Sequence, residues 1–83
     1  MSEMQAFEFR IANSTSATIT FCLEPWGGRY KVSGHSALRV VIEAATPPVL
    51  EWEFADDVQA LVVHEPAGAV ATVYDGENEV RAE

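Results

Sequence analysis

The sequence predicts a small all-β fold, an antiparallel β-sandwich of seven or eight strands. In several short segments, large apolar residues occupy every second position, and Gly, Pro, Asn, Asp or Ser bounds each segment. A spacing of two puts alternate side chains on opposite faces of a strand, so each segment has one core face and one solvent face. No segment combines the apolar spacing, length and end signals of a helix.

Four strands are predicted in the first half of the chain. They cover residues 5–12, 17–24, 29–32 and 37–44. The polar side chains of Asn13–Ser16 bond readily to nearby backbone, which indicates a turn after the first strand. Pro25 lacks an amide proton and Gly27–Gly28 bends easily, so strand pairing should stop there. Ser33–Ser36 is the turn into the fourth strand.

Four further strands are predicted in the second half, at 49–54, 58–64, 69–74 and 78–81. In the first of these, Leu50, Trp52 and Phe54 share one face, and we expect that face to lie in the core with Trp52 buried. Segment 58–64 is apolar on both faces, which predicts a central, well-covered strand. Asp75–Gly76 is a strong hairpin signal before the last strand.

Short strands at close intervals predict two sheets packed face to face with Greek-key crossings. An open barrel is the alternative, since it too presents one apolar face per strand. The 83 residues should form a single domain over 1–83, because half of the chain could not enclose a core. A domain of this size has no room for a large cofactor, and we expect none.

The net charge of −8 disfavours nucleic acids and anionic membranes, whose phosphates would repel the protein. It favours either solubility alone, through a solvated acidic surface, or a basic partner. Residues 42–83 carry ten of the thirteen acidic residues. The chain shows neither a signal sequence nor an apolar stretch near the ~20 residues that span a bilayer. Cys22 stands alone and so cannot form an intramolecular disulfide. We therefore expect an unanchored cytoplasmic protein.

The most unusual local string is Glu24–Gly28, which reads Glu-Pro-Trp-Gly-Gly. It resembles a turn of small uncharacterised bacterial all-β proteins, in which Glu-Pro-Trp-Gly follows the second strand. In those proteins a Gly-containing turn precedes a Val-rich strand, as Ser33–Gly34 precedes 38–42 here. The resemblance implies an all-β fold and carries no activity.

The strand pattern is also similar to that of cupredoxins and immunoglobulin-like sandwiches. Cupredoxin copper ligands are an early His followed by Cys, His and usually Met near the C-terminus. Cys22 precedes both His35 and His64, and both methionines precede Cys22, so the order does not fit. We expect a cupredoxin-like or immunoglobulin-like topology without a metal.

Ser33 and Ser36 flank His35, but neighbours in a turn do not aim a serine at a base, so no catalytic residue is predicted.

The candidate partner-binding site consists of Trp26, Arg29 and Tyr30. Trp26 either closes one end of the sandwich or joins Arg29 and Tyr30 in an exposed aromatic and basic patch. The predicted function is a non-catalytic protein-interaction module that binds another protein through these loop residues. The alternative is a small-ligand or carbohydrate-binding module that stacks its ligand on the same aromatic rings. Self-association is an open alternative, because exposed edge strands can pair between copies unless charges such as Glu77 and Glu79 prevent it.

Overall fold

A computed structural model describes residues 4–24, 27–55, 58–64 and 68–82. These residues form eight strands: β1 (Gln5–Asn13), β2 (Ile19–Glu24), β3 (Gly28–Val32), β4 (Ser36–Ala44), β5 (Val49–Ala55), β6 (Val58–His64), β7 (Val70–Asp75) and β8 (Asn78–Val80). Every strand lies within two residues of its predicted bounds, and the all-β class is confirmed. The described part of the chain contains no helix that could cross a membrane.

The strands form two four-stranded sheets, an arrangement that fits a small β-sandwich. The first sheet has the order β1-β4-β7-β8 and the second has the order β3-β2-β6-β5. The predicted central position of β6 is confirmed, since it lies between β2 and β5. The described pairings are antiparallel except that of β2 with β6, which is parallel. These two strands are far apart in sequence, so no tight hairpin sets their directions. Greek-key crossings and the cupredoxin-like or immunoglobulin-like topology stay predictions.

The core lies between the middle of the first sheet and the β2–β3 half of the second. Its buried apolar members are Ile11, Phe21, Leu23, Val32, Leu38, Val40, Ile42, Ala44 and Val73. On β4 the alternation is regular, because Leu38, Val40 and Ile42 are buried while Arg39 points to the other face. Burying each large side chain of this kind contributes about 1.5–3 kcal/mol, so this cluster is the main source of stability.

The prediction that β5 buries its apolar face is wrong. Leu50 is 42% exposed, Trp52 45% and Phe54 71%. The reason is position: β5 is the edge strand of the second sheet, and the core cluster draws its described members from the other strands. Alternation determines which side chains share a face, but a second layer must lie over that face to bury it. Trp52 is therefore a surface residue.

Asn13 is a buried polar residue that joins the loops at one end of the two sheets. Its side-chain nitrogen donates to the carbonyl oxygens of Ala17 (2.7 Å), Val32 (3.0 Å) and Ser33 (3.1 Å). Its side-chain oxygen accepts from the backbone amide of Thr15 (3.0 Å) and from the Thr15 hydroxyl (2.7 Å). Because Asn13 ends β1 in the first sheet and Val32 ends β3 in the second, one side chain links the two sheets.

The turn from β3 to β4 packs against the loop between β1 and β2. A Cβ atom on Gly34 would lie 2.6 Å from the carbonyl oxygen of Ser16, so only glycine fits there. The next residue, His35, has a φ of 57°, in the left-handed region. Its amide donates to the carbonyl oxygen of Thr15 at 3.0 Å, which holds the turn in this conformation. Position 34 therefore needs glycine because no side chain fits there. The unfavourable positive φ occurs at the next residue, His35.

The hairpin between β7 and β8 is confirmed. Asp75 pairs with Asn78 across a two-residue loop, and the φ of 63° at Gly76 is the angle that a type II′ turn needs at this position. The sequence also predicts that Asp56–Asp57 ends the strand at 49–54 and that a turn at 65–68 follows the strand at 58–64. Residues 56–57 and 65–67 lie outside the described residues.

We expect Asn13→Ala to lower the free energy of unfolding by about 2 kcal/mol, because it removes the donor to the buried Val32 carbonyl and the acceptor for the Thr15 amide. Asn13→Asp should cost more, since a carboxylate would face three carbonyl oxygens. Urea denaturation followed by circular dichroism measures both. Ser14→Ala, next to it and exposed, is the control and should change stability by less than about 0.5 kcal/mol. Equal stability of the Ala variant and the wild type would contradict the assigned role.

The β3–β4 turn predicts opposite effects at two adjacent positions. Gly34→Ala should destabilise the fold by about 1–3 kcal/mol, because its methyl group would collide with the Ser16 backbone. His35→Gly should raise the free energy of unfolding by about 0.5 kcal/mol, because glycine adopts a positive φ without strain. Thermal unfolding of the two variants beside the wild type measures the difference. The reverse order of stabilities would show that the turn has a different conformation.

Candidate functional site

The central residue of the predicted site, Trp26, lies outside the described residues. The structure gives the ends of its segment: Leu23 pairs with Gly28 across β2 and β3. The amide of Gly27, with a φ of 77°, donates to the carbonyl oxygen of Leu23 at 2.9 Å. The chain therefore reverses direction here as predicted, and the choice between a plug and a contact residue for Trp26 stays open.

The other two predicted site residues lie on opposite faces of β3. Arg29 is exposed and pairs in register with Cys22. Tyr30 is half-buried and stacks on the buried ring of Phe21, with centroids 5.4 Å apart and planes at 22°. Burial, and secondarily the Glu79 carboxylate, raises the pKa of Tyr30 above its ordinary value of 10.0. Tyr30 thus packs on the core, and the two residues do not form one continuous patch.

The exposed large apolar residues among the described residues are concentrated on β5. The described large apolar residues with high exposure are Met4, Val49, Leu50, Trp52, Phe54 and Val70. Four of these six lie on one strand, and that strand has β6 as its one described partner. Soluble monomeric proteins rarely expose contiguous apolar patches larger than a few hundred Å². An unpaired strand edge also offers backbone donors and acceptors to another chain.

We define the β5 surface by five residues that alternate along the strand. Leu50, Trp52 and Phe54 form its apolar side, and Glu51 and Glu53 form its acidic side. Sequence reasoning recognised the alternation but assigned the apolar side to the core. The acidic residues at every second position were the signal for an edge, because edge strands often carry charges that limit association between copies.

A cleft of about 260 Å³ adjoins the apolar side and lies between β1 and β5. Its lining consists of Arg10, Ile11, Ala12, Ile19, Trp52, Phe54 and Gln59. Most of this lining is apolar, and it brings together residues of both sheets. Pockets for small-molecule ligands usually measure about 300–1,000 Å³. The cleft is therefore better matched to one large side chain of a partner than to a whole ligand.

The acidic side of β5 extends to the end of β6. The Glu51 carboxylate lies 3.2 Å from Nε2 of His64, and both side chains are more than half exposed. His64 thus lies at the rim of the sheet. A cation brought beside Glu51 and Glu53 would approach from solvent.

Residues considered for catalysis or metal binding are dispersed. Within the described ranges, no group of three or more His, Cys, Asp or Glu side chains could hold a metal ion. A second depression, of about 320 Å³, includes His35, Ser36 and Arg10 in its lining. The Ser36 hydroxyl donates to the carbonyl oxygen of Ser33 at 2.7 Å, so it is turned to the backbone of its own turn.

Comparison of the chain with protein-family models, with curated proteins and with solved structures finds no significant match. The resemblance of the Glu24–Gly27 string to bacterial all-β proteins stays a prediction, and function is argued from the surface itself.

We expect Trp52→Thr to lower the free energy of unfolding by only about 1 kcal/mol, because 45% of the residue is already exposed and Thr suits a strand. Leu23→Ala, in the core, should cost about 2–5 kcal/mol. Urea denaturation of both variants makes the comparison. A loss for Trp52→Thr as large as that for Leu23→Ala would show that Trp52 is a core residue after all.

Proposed function

We propose that the protein is a non-catalytic protein-interaction module and that it binds its partner through the β5 surface. One observation carries the proposal: β5 combines an edge with no described partner and three large apolar side chains exposed beside it. Extended segments of other proteins bind such edges by adding a strand, with backbone hydrogen bonds for affinity and side-chain contacts for specificity. The Trp52 and Phe54 rings and the adjoining cleft supply those side-chain contacts.

The predicted site around Arg29 provides a comparison within the same sheet. Arg29 lies on β3, and β3 and β5 form opposite edges of this sheet. A strand added to β5 therefore does not contact Arg29 by pairing. A variant at Arg29 should therefore weaken binding only if the partner contacts the segment around Trp26, and should leave binding unchanged if the partner contacts β5.

We place this module in the cytoplasm. Cys22 is a free thiol, and small secreted domains usually depend on disulfides. The acidic character of the chain keeps such a module soluble and directs it to basic partners.

A small-ligand or carbohydrate-binding module is the second candidate, since the exposed Trp52 ring could stack on the apolar face of a sugar. The limited volume of the cleft favours a protein partner. Tryptophan fluorescence titrations with a glycan panel test this candidate, and a change that disappears in Trp52→Phe would support it.

Selection from a display library of random peptides tests the proposed function. We expect the wild-type protein to enrich peptides that bind it with micromolar affinity, and we expect Trp52→Thr/Phe54→Thr to weaken their binding at least about tenfold. Isothermal titration calorimetry with synthetic copies of the enriched peptides measures the change.

Two matched variants serve as controls. Val70→Thr removes an exposed apolar side chain from the first sheet, and Arg29→Ala alters the opposite edge of the second. Both should bind the selected peptides like the wild type. Loss of binding in Arg29→Ala with unchanged binding in Trp52→Thr/Phe54→Thr would move the site to the loop around Trp26, and a selection without enrichment would refute an interaction surface for extended segments.

A further inference from the structure

The charge pattern of β5 restricts the partner that it can accept. In a sheet, side chains directly opposite on neighbouring strands have Cβ atoms about 4.5–5.5 Å apart and interact on the same face. A strand added to β5 therefore meets Leu50, Trp52 and Phe54 on one face and Glu51 and Glu53 on the other. Both glutamates are exposed, so a partner reaches them without displacing core residues.

We propose that β5 binds an extended segment of another protein in which basic residues alternate with large apolar residues. This inference rests on the proposed function and adds the chemistry of the partner. Lys or Arg side chains at alternate positions lie beside Glu51 and Glu53. The intervening apolar side chains pack on Trp52 and Phe54, and one of them enters the cleft of about 260 Å³.

The cleft side of the strand disfavours cations. Arg10 contributes to the cleft lining beside Trp52 and Phe54, so a cation that entered the cleft would meet a like charge. Basic residues are therefore favoured on one face of the added strand only. This restricts the partner to an alternating pattern, which a cluster of basic residues does not supply.

A second copy of the chain fits the β5 surface poorly. If two β5 strands paired antiparallel about a two-fold axis through Trp52, Glu51 of each copy would lie opposite Glu53 of the other. Like charges directly opposite destabilise strand pairing, and each copy carries a net charge of −8. The glutamates thus oppose self-pairing through this edge and favour a basic partner.

Designed peptides test the inference by fluorescence anisotropy at low and at raised ionic strength. The basic alternating peptide is Lys-Ile-Lys-Val-Lys-Ile-Lys. The comparison peptides are its acidic counterpart with Glu for Lys, a block peptide with the same composition but all Lys together, and a form N-methylated along one edge. We expect the basic alternating peptide to bind at least about tenfold tighter than the other three, and to weaken as salt screens the charges.

A charge-reversed variant makes the test specific to β5. Glu51→Lys/Glu53→Lys should invert the preference, so that the acidic peptide binds tighter than the basic one. Glu43→Lys/Glu77→Lys changes the net charge equally on exposed positions of the first sheet and its hairpin, and it should keep the wild-type preference. Circular dichroism of all variants confirms that they fold.

The outcomes separate this inference from the proposed function. Equal binding of the basic and block peptides, or inversion by the control variant, would overturn the alternating basic partner. Selected peptides that depend on Trp52 but lack basic residues would overturn it while leaving the interaction module intact. Dimers that form through β5 on concentration, detected by light scattering and abolished by Trp52→Thr, would assign the surface to a second copy instead.

Discussion

The buried amide of Asn13 determines how the two sheets meet. It accepts from the loop that follows β1 and donates to backbone at the end of β3, so the edge of the first sheet is bonded to the edge strand of the second. The loops on either side are packed closely enough that position 34 tolerates only glycine. A polar group inside a small core stabilises the fold only when all its bonds are made, and at Asn13 both ends of the amide are engaged.

This attachment has a consequence for the opposite edge of the second sheet. β3 is held against the first sheet, and the described core members of the second sheet come from β2 and β3. β5 continues the sheet by backbone pairing with β6, which needs no covering layer. The exposure of Trp52 and Phe54 therefore follows from where the core lies.

Apolar patterns and turn signals predicted all eight strands within two residues, because both are local properties of the sequence. It could not predict which apolar faces are covered, since coverage depends on strand order, and the parallel pairing of β2 with β6 is a long-range contact with no local signal. For the same reason the predicted site was divided: Arg29 and Tyr30 are neighbours in sequence, but adjacent residues of a strand face opposite ways. The β5 surface was visible only as an alternation of aromatic and acidic residues whose aromatic side was assigned inward.

β5 combines two features, exposed aromatic side chains and glutamates at alternate positions, and each feature alone would suit a different kind of strand edge. An edge that only had to avoid aggregation would carry charges and small or polar residues, and replacing exposed aromatic side chains would cost little stability. An edge that joined two copies would avoid like charges at the positions that meet across the interface. The strand instead combines Trp52 and Phe54 with Glu51 and Glu53, which provides large contact area together with repulsion between identical copies. Under the function proposed for β5, that combination would disfavour pairing with the chain's own edge and favour a strand of complementary charge.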